Sequence, residues 1–227
     1  MILLPVKNLG TAKQRLASVL EQSTRTELAQ AMLQDVLAAL PGYEVSVVTS
    51  DPFAVELAGN YGFAVIRDDS NLSETDAIEM ATRVCESRGI EETLVIPADI
   101  PLIEAADIRA VCESAPTRGT VLVPSGDKRG TNAVLRRPAA LFPLRFGNDS
   151  FMPHLAAAIA TNSSCVVLSL PGIALDIDNP DDLRQLALAP GEKRSQILAR
   201  RFSLPELPAH SFPGFKGRGQ NVMPAKS

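Results

Sequence analysis

Three aspartates occupy positions where the edge of a sheet would collect them. Asp99 closes Thr93-Leu94-Val95-Ile96-Pro97-Ala98-Asp99, a short apolar run that reads as a buried strand. In Ala174-Leu175-Asp176-Ile177-Asp178-Asn179-Pro180, an extended backbone aims Asp176 and Asp178 to one side and Ile177 to the other. Carboxylates gathered at one edge repel each other, and a hard divalent cation such as Mg²⁺ removes that penalty. A basic loop, Pro5-Val6-Lys7-Asn8-Leu9-Gly10-Thr11-Ala12-Lys13-Gln14-Arg15, follows the first strand directly. Lys7, Lys13 and Arg15 suit the several charges of a triphosphate, with Gly10 allowing a tight turn. Metal-binding carboxylates plus a basic loop indicate nucleoside triphosphate chemistry. The loop is not a Walker P-loop, because GxxxxGK[ST] is absent.

Each residue also has a plainer reading. The loop could be a solvated entry to a helix, with Lys13 and Arg15 on the wet face. Asp99 could cap a helix near Glu104, although Pro101 and the spacing make it early for that. Asp178 or Asn179 could cap a helix that has Pro180 in its first turn, which leaves Asp176 unexplained. Two further segments could hold an anion on backbone amides and hydroxyls. One is Gly130-Thr131-Asn132 after Lys128-Arg129, and the other is Phe146-Gly147-Asn148-Asp149-Ser150-Phe151. The bland version makes them a hairpin turn and a helix cap. His154 reads as a packing or hydrogen-bonding residue.

The elements that must position these groups follow from periodicity. Strands are expected at Ile2–Val6, Glu44–Thr49, Ala64–Ile66, Thr93–Pro97, Thr120–Val123, Thr131–Leu135 and Cys165–Leu170. A helix beginning at Ser23 carries Leu28, Met32, Val36 and Leu40 at four-residue spacing, and Pro41-Gly42 stops it. Further helices are expected after Asp51-Pro52, over Ser73–Arg88, Glu104–Ser114 and Ser150–Ala160, and at Pro180–Leu188. Alternation of strands and helices through the first half predicts an α/β fold with a doubly wound, mostly parallel sheet. The less regular second half predicts a mixed extension. Residues 1–204 form one domain in this reading. From Pro205 to Ser227, Pro, Gly, Lys and Ser dominate, and a flexible tail is expected.

The 227 residues have 45% hydrophobic and 4% aromatic content and no Trp, so aliphatic side chains must fill the core. A net charge of −4 argues against a general nucleic-acid binder. Cys85, Cys112 and Cys165 lack the spacing of a zinc site or a disulfide framework. No run reaches the length of a membrane span, and Met1-Ile2-Leu3-Leu4-Pro5-Val6 is too short for a signal peptide, so a cytoplasmic location is expected. Oligomeric state is not written in these residues.

Five motifs then occur in a recognisable order. They are Pro5-Val6-Lys7 with Ala12-Lys13-Gln14-Arg15-Leu16, Ala98-Asp99-Ile100-Pro101-Leu102, Gly130-Thr131-Asn132-Ala133, Phe146-Gly147 with Ser150-Phe151 and His154, and Asp176-Ile177-Asp178 with Asp181-Asp182-Leu183. Together they resemble the CofC/FbiD guanylyltransferases of deazaflavin-cofactor (coenzyme F420) biosynthesis, from Met1 to about Leu188. The resemblance implies a single Rossmann-like, glycosyltransferase-A-like nucleotidyltransferase domain, similar to molybdenum-cofactor guanylyltransferases. It implies transfer of GMP from GTP to phosphoenolpyruvate, 2-phospho-L-lactate or 3-phosphoglycerate. By the same resemblance, Asp99, Asp176 and Asp178 hold Mg²⁺. Thr131, Gly147 and Ser150 contact the acceptor, and the loop of Lys7, Lys13 and Arg15 contacts nucleotide phosphates. Two positions depart from the family pattern. Asn148-Asp149 replaces Pro-Gly, placing a negative charge beside an anion site, and Ser73 stands where many relatives have Asn. The alternatives are a molybdenum-cofactor or sugar-phosphate nucleotidyltransferase, whose Leu-Ala-Gly-Gly loop is absent here, and a non-catalytic nucleotide-binding protein of the same fold.

Overall fold

The computed structural model describes residues 1–70, 72–147 and 149–202. The tail expected from Pro205 lies outside the described residues. The elements in chain order are β1 (Ile2–Pro5), α1 (Gln22–Ala38), β2 (Val45–Val48), α2 (Pro52–Asn60), β3 (Ala64–Ile66), α3 (Glu74–Ser87), β4 (Thr93–Val95), α4 (Ala105–Glu113), β5 (Gly119–Pro124), β6 (Thr131–Arg137), α5 (Phe151–Ala160), β7 (Ser164–Val167), α6 (Pro171–Ala174), α7 (Pro180–Leu188) and α8 (Arg194–Ala199).

The sheet runs β3-β2-β1-β4-β6-β5-β7. β1 pairs in parallel with β2 and β4, β2 with β3, and β5 with β7. Only β6 runs against its neighbours, pairing Val95 with Val134 on one side and Leu122 with Val134 on the other. This is the mostly parallel sheet with a mixed extension that the alternation predicts. The carboxyl ends of six strands and the start of β6 therefore meet at one edge.

Period-two alternation divides the core between the sheet's two faces. Ile2 and Leu4, Val121 and Val123, and Ala133 and Leu135 pack on the side of α1. Leu3, Leu122 and Val134 pack on the other side, among residues of α3 and α5. The expected stripe of α1 is fully buried at Leu28, Leu33, Val36, Leu37 and Leu40. The helix begins at Gln22, one residue before the expected Ser23, with Glu21 at the N-cap position making no side-chain cap. Asp51 caps α2, its carboxylate accepting from the Ala54 amide, with Pro52 in the first turn. Ser73 caps α3 in the same way, accepting from the Asp76 amide.

The sequence reading did not anticipate α6 or α8. The strand expected to reach Leu170 stops at Val167, and α6 begins at Pro171, whose fixed φ suits a first turn. α8 is held in place by a buried carboxylate on α1. Asp35 accepts from the amides of Arg194 and Ser195 at 3.0 and 2.8 Å and from the Ser195 hydroxyl at 2.5 Å. That one side chain satisfies two of the orphan donors at the helix start. Among the described residues no helix is long and apolar enough to cross a membrane.

Asp35→Ala leaves those buried donors unpaired. It is expected to destabilise the protein by about 2–3 kcal/mol, the scale of hydrogen bonds to a charged group. Urea unfolding is the measurement, and a midpoint equal to wild type would show that α8 docks without this contact.

Candidate active site

The basic loop leaves β1 and is tied to the end of β2. The Leu9 amide donates to Asp51 Oδ2 at 2.9 Å, and the Thr49 hydroxyl donates to the Val6 carbonyl at 2.7 Å. Asp51 thus serves two elements, using its other oxygen as the α2 cap. Gly10 sits in a tight 3-10 turn, as expected, its amide donating to Asn8 Oδ1 at 2.8 Å. The loop's left-handed residue is Lys13, at φ 55°. A non-glycine residue seldom rests there without compensation.

The compensation is electrostatic. Lys13 Nζ donates to Asp99 Oδ2 at 2.6 Å and to Asp178 Oδ1 at 3.1 Å. Arg15 Nη1 reaches the other oxygen of Asp178 at 3.1 Å. The Lys13 side chain is only 9% exposed. Burial by itself would lower its pKa, but the charges and hydrogen bonds of Asp99 and Asp178 outweigh burial and raise it. The ammonium is therefore firmly charged. Lys7 goes elsewhere, to Asp68 at 2.6 Å, a nearly buried carboxylate that also accepts from the Ser70 hydroxyl at 2.8 Å.

The second acidic segment is not a strand, yet it alternates as one would. Ile177 is fully buried while Asp176 and Asp178 are half-buried. The Ile177 amide donates to the Asp99 carbonyl at 3.0 Å, so a backbone hydrogen bond joins the two acidic segments besides the Lys13 bridge. The capping explanation of Asp178 does not apply. Asn179 caps α7, and Asp182 closes a capping box by accepting from the amides of Asn179 and Asp178. Asp178 is left for Lys13 and Arg15. Asp176 instead accepts from Asn132 Nδ2 at 3.0 Å, a residue that also reaches the carbonyl of Ile173. Burial, with the charges of Asp99 and Asp178, pushes Asp176 up to about 6 against that hydrogen bond.

These three carboxylates are oxygen donors only, the set preferred by a hard divalent cation. As placed, Asp99 and Asp178 are bridged by an ammonium and Asp176 leans on Asn132. Among the described residues no three of His, Cys, Asp and Glu stand close enough together to hold a metal ion.

Glu74, at the start of α3, is a residue the motifs do not point to. Burial pushes its pKa up to about 7, the negative charges of Asp99 and Asp178 add to the effect, and Lys13 and Lys7 oppose it. The electrostatic coupling places it among the same charges as the expected site. Its signal in the sequence was only its position, directly after a cap at the end of a strand–loop connection.

The hairpin between β5 and β6 and the loop before α5 form the other half. Ser150 Oγ accepts the Thr131 amide at 3.0 Å and lies 3.4 Å from Thr131 Oγ1. His154 Nδ1 lies 3.0 Å from the same Thr131 hydroxyl. The Phe151 amide donates to the Arg129 carbonyl at 2.9 Å. Gly147 has φ 128°, and a Cβ there would touch nothing, so its requirement is conformational. Asp149 adopts φ 58° and pairs with both Arg129 Nε at 2.5 Å and Nη2 at 3.1 Å. Its charge is therefore already neutralised. The lone negative charge expected beside an anion site is in fact half of an exposed ion pair.

Residues 1–212 match the family described as guanylyl transferase CofC like. The chain belongs to this family. A phosphoenolpyruvate guanylyltransferase of Rubrobacter xylanophilus is 38% identical, covering 82% of this chain and 93% of that protein. A 3-phospho-D-glycerate guanylyltransferase of Colwellia psychrerythraea is 34% identical over 82% and 90%. A 2-phospho-L-lactate guanylyltransferase of Methanothermobacter thermautotrophicus is 31% identical over 82% and 83%. Among solved structures, the fold is shared with a Desulfovibrio desulfuricans protein at TM-score 0.71 and 18% identity, covering 88% of this chain and 93% of that one. It is shared with the 2-C-methyl-D-erythritol 4-phosphate cytidylyltransferase of Thermus thermophilus at TM-score 0.52 and 17% identity, over 88% and 98%. As a CofC-like guanylyltransferase the chain is a nucleotidyltransferase, and the sheet edge described above is its candidate active site.

The raised Glu74 pKa fixes a pH dependence. Both states are protonated below the ordinary value of 4.5, and ionisation then costs the folded state stability as pH rises toward about 7. Glu74→Gln is expected to raise Tm at pH 8 in EDTA and to leave it unchanged near pH 4.5. Equal shifts at both pH values would mean that the carboxyl's charge is not the cause.

Proposed function

We propose that this enzyme transfers GMP from GTP to a small phosphorylated carboxylate (phosphoenolpyruvate, 2-phospho-L-lactate or 3-phosphoglycerate), releasing pyrophosphate, in coenzyme F420 biosynthesis and in the cytoplasm. One observation carries the reading: Lys13 bridges Asp99 and Asp178 at the same sheet edge that receives the Thr131–Ser150 hydroxyl pair. The names borne by the relatives give the chemistry its direction.

The acceptor's phosphate oxygen is ionised near neutral pH, so its attack on the α-phosphorus needs no general base. His154 is not poised to be one, since it is buried and occupied at both ring nitrogens. The protein's task is alignment and charge stabilisation. Lys7, Lys13 and Arg15 would hold the nucleotide's phosphates. For Lys13 this means exchanging carboxylate oxygens for phosphate oxygens, within reach of a compact ammonium on a long stem. Asp99, Asp176 and Asp178 would hold Mg²⁺ only by drawing closer than they stand here and by giving up Lys13, with Asn132 orienting Asp176. Bound there, the ion would neutralise repulsion between two anions. Thr131, Gly147 and Ser150 would contact the acceptor.

Pyrophosphate release from GTP with each of the three acids, with the product read by mass spectrometry, tests the reading. It fails if no acid supports release. Asp99→Ala is expected to cut turnover by about a hundredfold or more, the scale of losing a group that manages charge in the transition state. A folded Asp99→Ala protein with near-normal turnover would remove Asp99 from the machinery.

Asp149→Gly frees the Arg129 guanidinium and relieves a left-handed residue at once. The expected result is an acceptor KM lowered a few-fold, with GTP affinity unchanged. An unchanged or higher acceptor KM would mean that Arg129 does not face the acceptor.

A further inference from the structure

His154 sits behind the hydroxyl pair in a setting that fixes where its proton lies. The Arg145 backbone amide is 2.8 Å from Nε2. A backbone N–H can only donate, so Nε2 must present its lone pair. A neutral imidazole then carries its one proton on Nδ1, which donates to Thr131 Oγ1 at 3.0 Å. The ring is 1% exposed, with Phe146 edge-on at 5.3 Å and Phe142 tilted at 6.5 Å. Burial, and then the charge of Arg136, lower its pKa to about 4, so it stays neutral through the physiological range.

A count of hydrogens follows. Thr131 Oγ1 accepts from His154, and Ser150 Oγ accepts from the Thr131 amide. The two hydroxyls bring two protons, and the 3.4 Å gap between them can use only one. The other has no acceptor among the described residues. The pair is nearly buried, at 5% and 4% exposure, at the sheet edge where β6 begins. The cluster therefore has one donor in surplus. Carboxylate and phosphate oxygens only accept, so that surplus is complementary to an anion, whereas a hydroxyl lone pair would repel it.

We infer that His154 is a positioning residue, oriented by the Arg145 amide, that makes the Thr131–Ser150 pair present a proton rather than a lone pair to the anionic acceptor. The inference rests on the proposed GMP transfer and names what sets the polarity of its acceptor contact. His154 itself touches neither substrate.

His154→Gln can accept from the Arg145 amide through its oxygen and donate to Thr131 through its nitrogen. His154→Leu and His154→Phe can do neither. The assay is kcat/KM for phosphoenolpyruvate, 2-phospho-L-lactate and 3-phosphoglycerate at saturating GTP, with GTP affinity by calorimetry and folding by thermal melting. The expected result is an acceptor KM raised at least about tenfold in the Leu or Phe variant, with GTP affinity unchanged. The Gln variant should stay within about threefold of wild type, since both of its hydrogen bonds are kept. In a Thr131→Val background the Leu or Phe change should add little, because its only route to the acceptor is gone. Normal acceptor KM in the Leu or Phe variant, an equal loss with and without Thr131, or a fall in GTP affinity would each overturn the inference. If neither apolar variant folds, a Gln variant that folds but loses acceptor affinity as Thr131→Val does overturns it, and one near wild type supports it. A wild-type protein inactive with all three acids overturns the functional reading and this inference together. An active wild type with indifferent His154 variants overturns this inference alone.

Discussion

Carboxylates gathered at the end of a sheet repel one another unless a cation stands among them, and here the ammonium of Lys13 does so, with Arg15 beside it on Asp178. Lys13 comes from 86 residues before Asp99 and 165 before Asp178, so the pairing cannot form until the sheet has assembled. The backbone accepts a left-handed residue to deliver it. Asp99 and Asp178 in return hold Lys13 charged despite its burial. Each of the three groups would be costly in this place without the others. The basic loop, the end of β4 and the segment before α7 are thereby fixed relative to one another.

The remaining contacts extend that arrangement by short steps. The Ile177 amide joins one acidic segment to the Asp99 carbonyl, and Asn132 at the start of β6 joins Asp176 to the carbonyl of Ile173. From Asn132 it is one residue to Thr131, and so to Ser150 and His154. Charge dominates one end of this chain of contacts, and neutral hydroxyls and an uncharged ring dominate the other. That gradient suits the proposed reaction, in which a triphosphate would be gripped firmly and a small acid with discrimination.

Much of this was legible in the sequence because it follows from local rules. The alternation around Ile177, the stripe of α1, the Asp51-Pro52 helix start and the strand-to-Asp99 run all describe what a residue does with its immediate neighbours. What the sequence did not disclose concerns pairing across long distances. The tight turn at Gly10 is legible, but the left-handed backbone at Lys13 is not, because an ion pair with distant residues there outweighs local backbone preference. Asp149 reads as an isolated charge until Arg129 is found across the loop. Glu74 reads as an ordinary first-turn acid until the sheet edge brings Lys7, Lys13 and Asp99 near it. α8 is only six residues long, and its anchor, Asp35, is on a helix 160 residues earlier.

A strand that runs backwards delivers its beginning to the place where its neighbours deliver their ends. β6 does this between β4 and β5. The chain therefore turns back into the site through a hairpin of a few residues, where a parallel strand would need a helical crossover to return. The two halves of the site thus hang on different kinds of connection. Beside the carboxylates and the basic loop, connections lead into helices, and their length is bound to helix packing. Beside the hydroxyl pair, the hairpin between Ser125 and Gly130 joins two strands already locked in register and is pinned by the Gly126 amide on the Ala174 carbonyl and the Phe151 amide on the Arg129 carbonyl. Residues 126–129 are exposed, so their charge can change without disturbing the core. Under the proposed reaction, one scaffold could thus keep a constant activated donor while exchanging the acid it is joined to.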